Sequence, residues 1–168
     1  MQFKRIFDYV FYWADKLPNH TALIYDDKRI TYTELRDNSL YFASFLIELG
    51  VRPGDTVAYM LFGCPEFFYM YLACSMLGVS ITGINVRSPK AEILRIINVA
   101  SPKFVIYDDS LRLNQDIFPA GFIPISRIEY NSKNIASVED NIAKISENNV
   151  VFIIFTSGTT GEPKGALL

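Results

Sequence analysis

From Phe67 to Val86 the chain carries no charged residue, and this run limits the folds open to it more than any other feature. A stretch of this length is enough to cross a bilayer as one helix. Its composition divides it instead. Phe67 to Leu77 is rich in aromatic, Leu and Met side chains, Gly78 offers a helix stop, and Ser80, Thr82, Gly83 and Asn85 crowd the second half. A helix followed by a strand, each sunk in a layered core, accounts for both halves. The run therefore predicts stacked layers rather than a transmembrane span.

The flanking sequence continues the alternation. Thr31-x-x-Glu34 is a capping box, in which the Thr side chain accepts from the N–H three residues on and Glu reaches back. The helix it opens runs to Leu49, with Gly50 suited to the left-handed position beyond. Leu35, Phe42, Leu46 and Leu49, with Ala43 alongside, form one apolar face. Thr56 to Leu61 reads as a strand and Pro65 to Leu77 as a helix with Pro in its first turn. Val79 to Ile84 is a strand, Ser88 caps a helix from Pro89 to about Ala100, and Phe104–Tyr107, Phe122–Ser126 and Val150–Phe155 are further strands. Val138 to Ile145 forms a short helix. The least structured spans are Asp108–Gly121, Glu129–Ala136 and Ser146–Asn149. Alternating strands and helices predict an α/β fold: a layered parallel sheet with helices on both faces.

At 168 residues one domain is expected, and 13 Phe with 10 Tyr supply its core. The net charge of −2, without a basic stripe, gives no footprint for nucleic acid. Near the N-terminus, Phe3, Ile6, Phe7, Val10 and Ala14 share one helical face. Asp8 and Asp15 interrupt the apolar run and no small-residue cleavage site follows, so it is an amphipathic helix rather than a secretion signal. A cytoplasmic location follows by default. Cys64 and Cys74 have no other thiol to pair with, fit neither a zinc site nor a disulfide scaffold, and are expected to be reduced core residues. His20, the single histidine, reads as a solvated turn residue.

The chemistry is concentrated late in the chain. An apolar strand, Val150 to Phe155, runs straight into Thr156-Ser157-Gly158-Thr159-Thr160-Gly161-Glu162-Pro163-Lys164-Gly165, which holds three Gly, three Thr, one Ser and one Lys. Glycines let backbone N–H groups approach an anion, hydroxyls add donors, and the lysine adds charge. The segment suits the holding of phosphate oxygens. It is not the nucleotide-binding P-loop, whose two glycines stand further apart and whose Lys is followed by Ser or Thr.

This loop resembles the phosphate-loop signature of the adenylate-forming ligases, the superfamily of acyl-CoA synthetases, peptide-synthetase adenylation domains and luciferases. The likeness extends along the chain in order. Leu17-Pro18-Asn19-His20-Thr21-Ala22-Leu23-Ile24 resembles the family's lead into its first strand, and Ile30-Thr31-Tyr32-Thr33-Glu34-Leu35 its first helix start. Gly50-Val51-Arg52-Pro53-Gly54-Asp55-Thr56-Val57-Ala58 resembles its helix-to-strand turn. Pro65-Glu66-Phe67 and Ile84-Asn85-Val86-Arg87, followed by Glu92, match later landmarks.

The resemblance implies that residues 1–168 are the N-terminal portion of the large adenylate-forming domain, ending just after the phosphate loop. The implied reaction has two steps: a carboxylate attacks the α-phosphate of ATP to give acyl-AMP and pyrophosphate, and a thiol, CoA or a carrier protein's, then takes the acyl group. Thr156, Ser157, Thr159, Thr160 and Lys164 would contact the β- and γ-phosphates. Gly158, Gly161 and Gly165 would shape the loop and donate backbone N–H groups. Mg²⁺ is implied by ATP, with no carboxylate here named as its ligand. The implied partners are a small carboxylic acid, ATP and CoA.

The family's adenine and acyl pockets, ribose-binding acid and C-terminal lysine lie downstream, so the chain alone is expected not to adenylate, and its helix after the loop would fall beyond Leu168. Apolar surface left for the remainder would favour self-association. Asn85 and Arg87 sit better with CoA ligases than with peptide synthetases, whose segment here usually resembles Val-Pro-[Ile/Leu]-Asp-Pro. The alternatives are a peptide-synthetase adenylation domain and a non-catalytic remnant that binds a partner.

Overall fold

The computed structural model describes residues 3–111, 113, 121–128, 135–142, 144–146, 148–156 and 164–168. In chain order its elements are α1 (Ile6–Lys16), β1 (Thr21–Tyr25), β2 (Lys28–Thr31), α2 (Tyr32–Glu48), β3 (Thr56–Met60), α3 (Pro65–Leu77), β4 (Ser80–Gly83) and α4 (Lys90–Ala100). There follow β5 (Phe104–Tyr107), β6 (Gly121–Pro124), a single 3₁₀ turn at Ile125–Arg127, α5 (Ile135–Ile142), β7 (Phe152–Thr156) and β8 (Lys164–Leu167). β1 and β2 form a separate antiparallel hairpin. The main sheet has the order β6-β5-β3-β4-β7-β8 and is parallel except where β8 turns back along β7.

Side-chain alternation along the strands supplies two cores. Val57, Ile81, Ile106 and Ile123 face α1, α2 and α3. Ala58, Met60, Val105 and Phe122 face the other way, against Ile93, Ile96 and Ile97 of α4. Helices thus cover both faces of a mostly parallel sheet. The uncharged run splits as its composition implies. α3 ends at Gly78, which takes φ +64°, and β4 lies between β3 and β7. Among the described residues no helix is long and apolar enough to cross a membrane. The polar residues of β4 are not idle: Thr82 Oγ1 donates to the Ile153 carbonyl (2.9 Å) and Ser80 Oγ to that of Val150 (3.0 Å). The first bond ties β4 to β7, the strand that carries the loop, and the second ties it to the residues that lead into β7.

The capping box forms. Thr31 N–H donates to Glu34 Oε2 at 2.8 Å, and Glu34 N–H donates to Thr31 Oγ1 at 3.2 Å. The Thr31 backbone N–H, and then its hydroxyl, hold the Glu34 carboxyl below its ordinary pKa. A depressed carboxyl pKa stabilises the fold above the ordinary value, and that contribution is lost as pH falls through the depressed one. Thr31→Ala is expected to cost about 1 kcal/mol, and Glu34→Gln to flatten the acid side of the stability–pH curve. Urea melts at neutral and acidic pH check both; a Glu34→Gln curve parallel to the wild type would refute the carboxylate's role.

Some expectations shift. α5 begins three residues before the expected Val138 and ends at Ile142. α4 starts at Lys90 after Pro89, without a side-chain cap from Ser88. Of the apolar face expected on α1, Phe7 and Ala14 are buried, while Ile6 is 40% exposed. Cys74 is buried as expected, but Cys64 is only half-buried, at the N-cap of α3.

Candidate functional site

Because β3 to β7 run parallel, their carboxyl ends open on one side of the sheet, where ligands of such folds bind. β7 delivers Thr156 there, and β8 brings the chain back at Lys164, its register partner. The two ends of the Thr156–Gly165 segment are thus held one strand spacing apart, about 5 Å. Ser157, Gly158, Thr159, Thr160 and Gly161 lie outside the described residues, as do Glu162 and Pro163. For Thr156 and Lys164 the backbone position is described: each pairs with the other at the mouth of the hairpin.

Gly165, expected to shape the loop, lies in β8 opposite Phe155. A Cβ there would stand 3.0 Å from Ile153 Cγ2 and 3.3 Å from Phe155 Cε1. Its bare backbone lets β8 close onto β7. Among the described residues this strand is the element that follows the loop. Pairing continues at Leu168, whose N–H donates to the Phe152 carbonyl at 2.9 Å.

The neighbouring strand end is equally constrained. Beyond β4, Ile84 N–H donates to the Tyr59 carbonyl (2.8 Å), and Asn85 Oδ1 accepts from Arg87 N–H (2.9 Å) in a tight turn. Tyr59 is the register partner of Gly83. A Cβ on Gly83 would lie 2.8 Å from Tyr59 Oη and 2.9 Å from Cζ, so the phenol packs directly on bare backbone. Its ring meets Phe67 at 5.3 Å and Phe152 at 6.4 Å, and Phe152 meets Tyr71 at 6.1 Å. Burial pushes the Tyr59 hydroxyl pKa up. This aromatic wall joins β3, α3 and β7. The sequence does not announce it, because each of its members reads individually as core.

Burial pushes the Cys64 thiol up to about 11, so it stays protonated at neutral pH, and Cys74 is raised for the same reason. His20 is exposed beside the small hairpin, its ring stacked on Tyr32. Among the described residues no group of three or more His, Cys, Asp or Glu is placed to hold a metal ion.

The family model described as "AMP-binding enzyme" matches residues 10–168. Bacitracin synthase 3 of Bacillus licheniformis is 30% identical over 158 residues, which cover 92% of this chain and 2% of that protein. A 3-[(3aS,4S,7aS)-7a-methyl-1,5-dioxo-octahydro-1H-inden-4-yl]propanoyl:CoA ligase of Mycobacterium tuberculosis is 32% identical over 174 residues, covering 90% of this chain and 34% of that protein. The chain thus spans about a third or less of the curated relatives it matches. The o-succinylbenzoate coenzyme A synthetase of Bacillus subtilis, solved in complex with AMP, superposes with a TM-score of 0.73 at 27% identity, covering 94% of this chain and 40% of that one. The family model spans nearly the whole chain and the fold is shared with a solved relative: the chain belongs to the AMP-binding enzyme family of adenylate-forming enzymes.

Proposed function

We propose that this chain supplies the phosphate grip of an ATP-dependent acid–thiol ligase. One observation carries the reading. The Thr/Ser/Gly/Lys segment is clamped at both ends by paired strands, at the carboxyl end of a parallel sheet. In the proposed reaction a carboxylate oxygen attacks the α-phosphorus of ATP, the bond to the β-phosphate's bridging oxygen breaks, and acyl-AMP and pyrophosphate form. A thiol then displaces AMP to give the thioester. Charge builds on the departing pyrophosphate, so donors fixed around it stabilise the transition state more than the ground state. Thr156, Ser157, Thr159, Thr160 and Lys164 are the proposed donors, with backbone N–H groups of Gly158, Gly161 and Gly165. In a complete enzyme CoA is the preferred acceptor, supported by Asn85 and Arg87; the similarity to a peptide synthase keeps a carrier-protein thiol as the second reading.

The test is calorimetric titration of the chain with inorganic pyrophosphate. Binding is expected, and Lys164→Ala should weaken it about 10- to 100-fold, the usual worth of a hydrogen bond to a charged group. Equal affinity in the variant would refute the grip. ATP–pyrophosphate exchange by the chain alone is expected to stay at background, because acyl and adenine contacts are assigned to downstream residues.

A further inference from the structure

The outward face of α1 is only partly covered by the fold and takes no part in the phosphate grip. Its inner face is accounted for: Phe7 and Ala14 are buried, and Val10 and Phe11 pack on the core. On the opposite side Ile6 (40% exposed), Tyr9 (48%), Trp13 (37%) and Leu17 (44%) follow one another at three- and four-residue steps. That is a second apolar stripe at helical spacing. Phe3 broadens it, with its ring 4.4 Å from that of Tyr9 and 5.2 Å from that of Tyr12. Trp13 continues it to Tyr32, 6.4 Å away. A helix whose outer face served only solvation would carry charges there.

We propose that this stripe is a lipid-surface contact, with α1 lying in the plane of the headgroups. Three features favour lipid over protein. An 11-residue helix is about 16 Å long, and a stripe along it falls far short of the roughly 800 Å² per partner of a stable protein interface. A bilayer sets no such requirement, because each ring inserts separately. Tyr and Trp, with an apolar body and a polar tip, are the side chains that settle at headgroup depth. Charge agrees: from Lys4 to Lys16 there are three cations (Lys4, Arg5, Lys16) against two carboxylates (Asp8, Asp15), in a chain of net charge −2. Arg5 pairs with Asp8 at 2.8 Å, and Lys16 is exposed at the C-terminal end of the stripe, where its stem can snorkel beside an anionic surface.

Trp13 is the only tryptophan, so its fluorescence reports on this face alone. Vesicles of phosphatidylcholine mixed with phosphatidylglycerol should shift its emission to the blue, saturably, and brominated lipids should quench it. The double variant Ile6→Ser/Leu17→Ser alters exposed positions, keeps the reporter, and should bind about tenfold more weakly. Val99→Ser, an exposed residue of α4, should bind like the wild type. The proposal is overturned if no vesicle shifts the emission, or if the double variant binds as well as the wild type. It is also overturned if the shift appears without lipid as protein concentration rises, which would make a second copy the occupant. The pyrophosphate titration is independent of all these outcomes.

Discussion

Phe42→Ala is expected to remove about 3–5 kcal/mol of stability, the usual cost of deleting a fully buried aromatic ring. Phe42 lies in the middle of α2, is 0% exposed, and belongs to the cluster that joins α2 to α3 and the sheet, with Leu46, Met70 and Ala73 as members that are also 0% exposed. Rings and methyls crowd every side, so backbone relaxation can close little of the cavity. Against a typical domain stability of about 5–15 kcal/mol, the loss takes about a fifth of the total at the least and all of it at the most. In urea the midpoint should fall by about 1–2 M while the slope stays unchanged. A fall smaller than about 0.3 M would mean that α2 is not packed as described. A changed slope would mean that the variant's native state had loosened.

The residues that make the core legible are those whose local chemistry and tertiary role agree. Thr31 and Glu34 announce α2, Pro65 and Gly78 bracket α3, and the strands between read as apolar runs because both of their faces are buried. Legibility fails where non-local pairing overrides weak propensity. Lys28 and Arg29 are exposed and only Ile30 is buried, yet Lys28–Thr31 becomes β2 because Asp26, at φ +50°, turns the chain back onto β1. Aspartate tolerates that left-handed position without announcing it as glycine would. Lys164-Gly165-Ala166-Leu167 has no strand signature, and its strand conformation comes from pairing with β7.

α1 fails differently. It is apolar on two faces, and periodicity alone does not say which one the domain buries, so the pattern assigns Ile6 to the inner face while the fold turns it outward. At the candidate site the Thr/Ser/Gly/Lys composition is plain in the sequence. Its clamping between two antiparallel strands, and the Tyr59–Gly83 contact one strand away, depend on register, which composition does not encode.

That contact supports the second large effect. Gly83→Ala is expected to cost about 1–3 kcal/mol, the range for forcing atoms into a packed site. The backbone there is not in the left-handed region, so the cost is steric. The new methyl would sit 2.8 Å from Tyr59 Oη and 2.9 Å from Cζ, and the ring has little room to retreat with Phe67 and Phe152 against it. If the ring is the obstacle, its removal should relieve the strain. Tyr59→Ala/Gly83→Ala should therefore be less destabilised than the sum of the two single variants, with a coupling of at least about 1 kcal/mol. Additive single effects would place the cost elsewhere, in the β4 backbone itself. The same cycle, read by pyrophosphate titration, tests the link to function. β4 is hydrogen-bonded to β7 through Thr82, so displacing its carboxyl end moves the strand on which Thr156 is mounted. Gly83→Ala should then weaken pyrophosphate binding, and the Tyr59→Ala background should restore it. A variant that loses stability but keeps full affinity would show that the loop holds its shape through the β7–β8 pairing alone.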